Sequence, residues 1–202
     1  MAYSYSPFRN NYKRKRTDTD CVFCDQKTMN SQTVRKSDDT LAENEHYRWI
    51  INFFPKFEGH TMVVPKKHVI SIGSETKDQV MAREEMITLA SETLLDLYPG
   101  AGIEVFLQTG AGSESSIKHL HWHVIPSQPS DPLRGFDKLG HFFTIEPDKP
   151  KILIFPVPIQ KAKQPLLKAL SKILKRKAES DESSSHGRRK RLPVKRSKKP
   201  VG

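Results

Sequence analysis

The chain has 202 residues, of which 36% are hydrophobic and 28% charged, and its formal net charge is +11; this is length enough for one domain with tails. It contains no run of about 18 apolar residues of the kind a membrane-spanning helix needs, and its Lys/Arg-rich start lacks the apolar stretch of a secretory signal. The expected setting is therefore intracellular and without a membrane: cytoplasmic, or nuclear where the source has a nucleus. The charge is uneven, with +3 over residues 1–20, +9 over residues 172–202 and −1 over everything between. The near-neutral middle is long enough to bury a core.

Residues 1–20, with the run Lys13-Arg14-Lys15-Arg16, read as a disordered basic arm. The only cysteines, Cys21 and Cys24, are too close together to staple a domain, and in a reducing compartment such a C-x-x-C pair is more often a metal or redox element than a structural disulfide. After a polar stretch, Leu41–Glu43 and His46–Phe54 have the composition of two strands, the second closed by Pro55. Glu58-Gly59 marks a turn. Thr61–Val64 forms a third strand up to Pro65.

From Asp78 to Tyr98 apolar residues recur at near-helical spacing, and Pro99-Gly100 supplies the stop. Ile103–Gln108 reads as a strand, Gly110-Ala111-Gly112-Ser113 as a small-residue loop, and His119–Ile125 as a strand ended by Pro126. Beyond a loop with Asp131-Pro132 and Gly135, strands are expected at Phe142–Ile145 and Lys151–Phe155. Ala162–Arg176 has helical periodicity with lysines around it, and the Ser/Lys/Arg-rich residues that follow have too little apolar content to offset the entropy of ordering.

The densest chemical signal is His119-Leu120-His121-Trp122-His123-Val124-Ile125. Successive side chains of a strand point to opposite faces, so the three imidazoles share one face while Leu120, Trp122 and Val124 face the core. Imidazole suits nucleophilic attack, proton transfer and metal ligation near neutral pH. Solvent-facing or packed histidines and a metal site built on alternating histidines are the alternatives. Nucleophilic chemistry fits the pattern better.

The pattern His119 to Ile125 resembles the signature of the histidine triad (HIT) superfamily of nucleotide hydrolases and transferases. The resemblance covers residues 21–126: Asn52, Gly59-His60-Thr61 and Val63-Val64-Pro65-Lys66-Lys67-His68 are similar to the family's first half, and Gln108 to Lys118 to its phosphate-binding loop. It implies an α+β, HIT-like fold, an antiparallel sheet with a long packed helix, between disordered basic tails. The implied division is an arm at 1–20, a HIT domain with a zinc site at 21–160, a basic amphipathic helix at 161–177 and a tail at 178–202.

By the same resemblance the catalytic residues are His121, His123 and His60. His121 corresponds to the nucleophile that attacks an α-phosphorus to give a nucleotidyl-histidine intermediate, His123 to the member on the phosphate oxygens, and His60 to the family's fourth histidine. Asn52 corresponds to a ribose ligand. Gln108, Ser115 and Ser116 correspond to positions that hold phosphate or the leaving group, although Ser115 stands where glutamine is frequent. Ile50 and Phe53 are candidate apolar walls for the nucleoside.

Cys21, Cys24, His68 and His119 offer two thiolates and two imidazoles, the donor set of a structural zinc site. Some HIT proteins carry zinc on these four positions, and the resemblance implies it here as structural zinc; a redox pair and two inert thiols are the other readings of the cysteines. The expected activity is hydrolysis or transfer at the α-phosphate of a nucleotide derivative, such as a nucleoside phosphoramidate, a dinucleoside polyphosphate or an adenylylated conjugate. The rivals are aprataxin-like removal of AMP from nucleic-acid ends and non-catalytic nucleotide or nucleic-acid binding. A homodimer is expected. The basic tails are solvated disorder, an address tag or an electrostatic contact to nucleic acid.

Overall fold

A computed structural model describes residues 4–5, 21, 23–24, 39–52, 55–110, 113, 115, 117–131, 133–143, 152–153 and 159–188. The fold is α+β, built on a five-stranded antiparallel sheet of strands β2 (Thr40–Glu43), β3 (Tyr47–Ile51), β4 (Thr61–Pro65), β5 (Gly102–Leu107) and β6 (Trp122–Ser127) in the order β2-β3-β4-β6-β5. Ser4–Tyr5 (β1) pairs in parallel with Ile152–Leu153 (β7) inside the residues expected to form a flexible arm. The helices are α1 (Lys77–Leu97), α2 (Gly135–Phe143) and α3 (Ile159–Arg188). None of the helices described is long and apolar enough to cross a membrane.

Local chemistry explains the elements. Asn44 closes the β2–β3 turn by accepting from the N–H groups of His46 and Tyr47 at 3.0 and 2.8 Å, and its amide donates to Ala82 O on α1. A β-bulge interrupts the register between Thr40 and Ala42. Every residue of central β4 is buried, as a strand covered on both faces requires. Thr76 and Gln79 form a reciprocal capping box that starts α1, and Gly100 at φ +81° follows its end.

One face of the sheet is covered by helices. Leu41, Tyr47, Trp49, Ile51, Val63, Trp122 and Val124 pack there with Met86, Ala90 and Leu94 of α1 and Leu166 and Leu170 of α3. The opposite face carries Ile50, Met62 and Val64 under Phe23, and Ile125 with Phe57 and Phe106. The alternation expected along residues 119–125 holds, with Leu120, Trp122 and Val124 on the helix side.

Four expectations are corrected. The histidine segment enters the sheet only at Trp122, whose partners Val63 and Leu107 form the last rungs on either side; His119 and His121 precede the ladder, where Leu120 N–H donates to Val69 O at 2.7 Å. Pro126 continues β6 opposite Ile103, and it is tolerated because β6 has by then outrun β4 and has a neighbour on one side only. Phe142 and Phe143 end helix α2 rather than begin a strand; Gly135, at φ +55° and donating its N–H to Glu104 Oε1, turns the chain into that helix. Finally, α3 runs past residue 177 to Arg188, carried by helix-forming Ala178 and Glu179 and a Lys175–Glu179 pair one turn apart.

Candidate functional site

The face opposite the helices gathers seven histidine and cysteine side chains from four segments. His123 lies on β6 directly between Met62 of β4 and Phe106 of β5, and the Phe106 ring stacks on its imidazole with centroids 4.7 Å apart. His60 reaches the same place from the turn before β4, its Nε2 being 2.9 Å from His123 Nδ1. That turn depends on Gly59, at φ +71°, where an added Cβ would come within 2.6 Å of Pro126 and 2.8 Å of Tyr98.

Hydrogen bonds assign the protons. Lys56 N–H points at His60 Nδ1 at 3.4 Å and Asn52 Nδ2 lies beside both His60 ring nitrogens; in the tautomer with its hydrogen on Nε2, His60 donates to His123 Nδ1. His123 then carries its own hydrogen on Nε2. His121 Nδ1–H donates to the carbonyl of His119 at 2.7 Å, which leaves the lone pair on His121 Nε2. The outcome is a base and a donor on adjacent inward positions, their rings 4.8 Å apart. Both imidazoles are buried, 4% and 5% exposed, so neither is held by solvent.

The third triad member is turned elsewhere. His119 Nε2–H donates to Pro65 O at 3.1 Å, which aims its Nδ1 lone pair at the cysteines: 3.1 Å from Cys21 Sγ and 3.3 Å from Cys24 Sγ. His68 Nδ1 is 3.3 Å from Cys24 Sγ. All four donor atoms lie within 4.8 Å of one another, close to the edges of a tetrahedron around zinc, and the carbonyl behind His119 is the outer partner that a metal-bound imidazole takes. Burial, reinforced by neighbouring His68, lowers the His119 pKa to about 4, so it presents a neutral ring. Burial and adjacent Cys21 push the Cys24 thiol up to about 11. A divalent cation is the group that would reverse that penalty.

The remaining expected ligands are placed less directly. Asn52 lies against His60, its Nδ2 3.2 and 3.1 Å from the two ring nitrogens. Gln108 donates to Ser113 O at 2.7 Å and Ser115 to Ile117 O at 3.0 Å, so both side chains shape the loop that leads into His119. Ser116 and Phe53 lie outside the described residues. Ile50 is buried beneath Phe23.

Three participants were not singled out from sequence. Phe106 was findable, since alternation on β5 places it on the face of His123. Phe23 stands inside the C-x-x-C turn with no periodicity to reveal it. Lys138 on α2 is 2% exposed and donates to Pro126 O, Asp131 Oδ2 and Ser127 Oγ at 2.8, 2.9 and 3.2 Å, its ammonium 4.9 Å from the Phe57 ring. It ties α2 to the end of β6 and to the turn of His60.

Residues 34–130 match the HIT domain family. A HIT-like protein of Mycoplasma pneumoniae is 30% identical over 117 residues, 56% of this chain and 76% of that one. The adenylylsulfatase of Arabidopsis thaliana is 25% identical over 120 residues, 59% and 58% of the two chains. Among solved structures, a hypothetical histidine triad nucleotide-binding protein from Sulfolobus tokodaii has a TM-score of 0.56 at 21% identity, covering 76% of this chain and 93% of that one. A Zn-bound histidine triad family protein from Mycobacterium smegmatis has a TM-score of 0.53 at 20% identity, covering 78% and 97%. At those identities the structural likeness is one of fold.

Proposed function

The chain belongs to the HIT family, and from that premise we propose that it hydrolyses or transfers the nucleotidyl group of a nucleotide derivative through a covalent intermediate on His121. The observation that carries this is the His121 Nδ1–H bond to the His119 carbonyl, which leaves the lone pair on His121 Nε2 beside the buried His123 ring. The adenylylsulfatase relative supports attack at an adenylate phosphorus.

His121 Nε2 attacks the α-phosphorus, the bond from phosphorus to the leaving group breaks, and the leaving group departs with that electron pair. His123 Nε2–H stabilises the charge that develops on the phosphoryl oxygens, and the departing group takes its proton from solvent. Water then attacks the same phosphorus and gives a proton up to solvent, the N–P bond breaks and the lone pair returns to His121. His60 positions His123 and keeps it a donor. Asn52 beside His60 is the ribose ligand in this reading. Gln108, Ser115 and Ser116 form the loop facing phosphate and leaving group.

Cys21, Cys24, His68 and His119 bind structural zinc in the same reading, supported by their donor geometry and by the Zn-bound relative of similar fold. Holding it, these four residues would join the N-terminal turn, the segment after β4 and the entry to the triad. His119 is thereby reserved for the metal and His121 for chemistry. The division of the chain into arm, HIT domain, a basic helix that runs on to Arg188 and a tail after it, the homodimer and the contact of the tails with nucleic acid belong to the same proposal.

His121→Ala abolishes turnover of adenosine phosphoramidate or diadenosine polyphosphate, a loss of about 10³-fold or more, while nucleotide binding persists. Intact-protein mass spectrometry after a rapid, acid-free quench finds a nucleotidyl adduct on His121 in the unsubstituted chain. Undiminished turnover by the alanine variant overturns the mechanism.

A further inference from the structure

Phe23 lies between the two cysteines, and the turn that presents their thiols, closed by Cys24 N–H on Cys21 O at 3.1 Å, drives its ring the other way, down onto the sheet. It is 3% exposed and seated on Ile50, Met62 and Val64. Its carbonyl accepts from Arg48 Nη2 at 2.7 Å. The ring meets two members of the triad at once: His119 edge-on at 5.5 Å between centroids, and His121 at 5.3 Å with the planes tilted by 52°.

We propose that Phe23 is a positioning residue for His121, and that through it the state of the Cys21–Cys24 turn, metal-filled or empty, controls the nucleophile; this rests on the reading of His121 as nucleophile given above. The turn joins the body through few contacts among the described residues: the sulfur atoms on His68 and His119, the Arg48 bond and the Phe23 ring itself. Metal ligation holds the first set rigidly, because four ligands from three segments share one centre. With the centre empty those contacts are single thiol–imidazole hydrogen bonds, weak ones.

A turn that drifts takes Phe23 with it. His121 then loses an aromatic wall that restricts its ring rotation and excludes water. A nucleophile whose ring samples other rotamers and tautomers spends less time aligned with phosphorus. The metal site thus acts on chemistry through an apolar side chain that ligates nothing.

The test compares the full chain with Phe23→Leu and Phe23→Met, each loaded with zinc ion and after its removal by chelation, with metal content and melting recorded for every sample. Two quantities are read at pH 7.5: the long-range 1H–15N spectrum of the His121 ring, which reports its tautomer, and the single-turnover rate of adduct formation with adenosine phosphoramidate. In the unsubstituted chain, chelation replaces one tautomer signature by an averaged one and slows the adduct about 10- to 100-fold. The Phe23 variants show the averaged spectrum and slow rate while still holding zinc, and chelation changes them little; Phe23→Tyr restores the zinc-loaded behaviour.

A zinc-loaded Phe23→Leu or Phe23→Met with one tautomer and an unchanged rate overturns the proposal. So does chelation that acts equally with and without Phe23, or a chain that takes up no zinc. If no substrate gives an adduct while the His121 spectrum answers to zinc and to Phe23, the nucleotidyl-transfer reading fails and the positioning role stands. An adduct formed at one rate in all samples, with an unvarying spectrum, has the opposite meaning.

Discussion

At the scale of single residues, two positions set the condition of the site. Gly59 combines left-handed backbone with a Cβ position already claimed by Pro126 and Tyr98, so Gly59→Ala must push the His60 turn away from β6. The expected result is a loss of about 1–3 kcal/mol in stability and a larger fall in turnover than in nucleotide affinity, checked by urea unfolding alongside kcat and KM. His119 sets a pH window for the metal-free protein. Its folded pKa of about 4 lies below the ordinary 6.5, so the unfolded chain takes up the proton first. Stability is therefore full above about pH 6.5, falls as pH drops toward 4 and levels off below, a change on the order of 3 kcal/mol. Melting of the metal-free chain between pH 7.5 and 4 should show this slope, and His119→Gln should flatten it. The imidazoles themselves were legible in sequence because alternation is rigid over short spans. The proton assignments were not, since they depend on carbonyls and amides at His119, Pro65 and Lys56 that no side-chain pattern encodes.

At the scale of elements, β3 and β4 were legible because their apolar patterns match their burial, and β5 and α1 because spacing and flanking turn residues marked them although Val105, Met81 and Leu95 are exposed, whereas α2 and the length of α3 were not. Phe142-Phe143 looks like strand composition, yet the turn at Gly135 and the buried Lys138 decide for helix, and both are tertiary effects on a weak local preference. The α3 pattern showed the apolar stripe but not its purpose. Leu166, Ala169, Leu170 and Ile173 are buried, and the cations beside them meet α1: Lys172 and Arg176 reach Asp96 at 2.8 and 3.1 Å, and Lys177 reaches Glu92 at 2.8 Å. The pairs are exposed and contribute little, so the helix is held by its stripe. Leu170→Ala should cost about 2–4 kcal/mol, whereas Lys172→Ala should change stability by about 0.5 kcal/mol or less. Chemical denaturation of the two variants separates them, and a reversed ranking would mean that α3 is fixed by charge.

Across the whole molecule, charge and chemistry are segregated. The site occupies the sheet face away from α1 and α3, and the body is near neutral, so the net +11 resides in the two ends. Much of the basic character of α3 is already answered by Asp96 and Glu92, whose position lowers the Asp96 pKa through the Lys172 bond above all. What is left for an external partner is the segment after Arg188, with seven Lys/Arg in residues 189–202 and no acid or aromatic. Such a segment can neutralise phosphates but cannot stack on bases, so its binding is electrostatic, indifferent to sequence and driven by counterion release. Removing residues 189–202 should weaken binding to single-stranded DNA or RNA at low salt and make log K less steep in log salt by about 0.7 for each phosphate that the tail no longer neutralises. Hydrolysis of a small nucleotide should be unchanged, because the histidines, the cysteine turn and α3 all remain. Titrations at several salt concentrations, with turnover measured on the same samples, check both halves. A truncated chain that keeps its salt slope would place the polyanion site on the folded body instead, and one that loses small-substrate turnover would make the tail part of the active site.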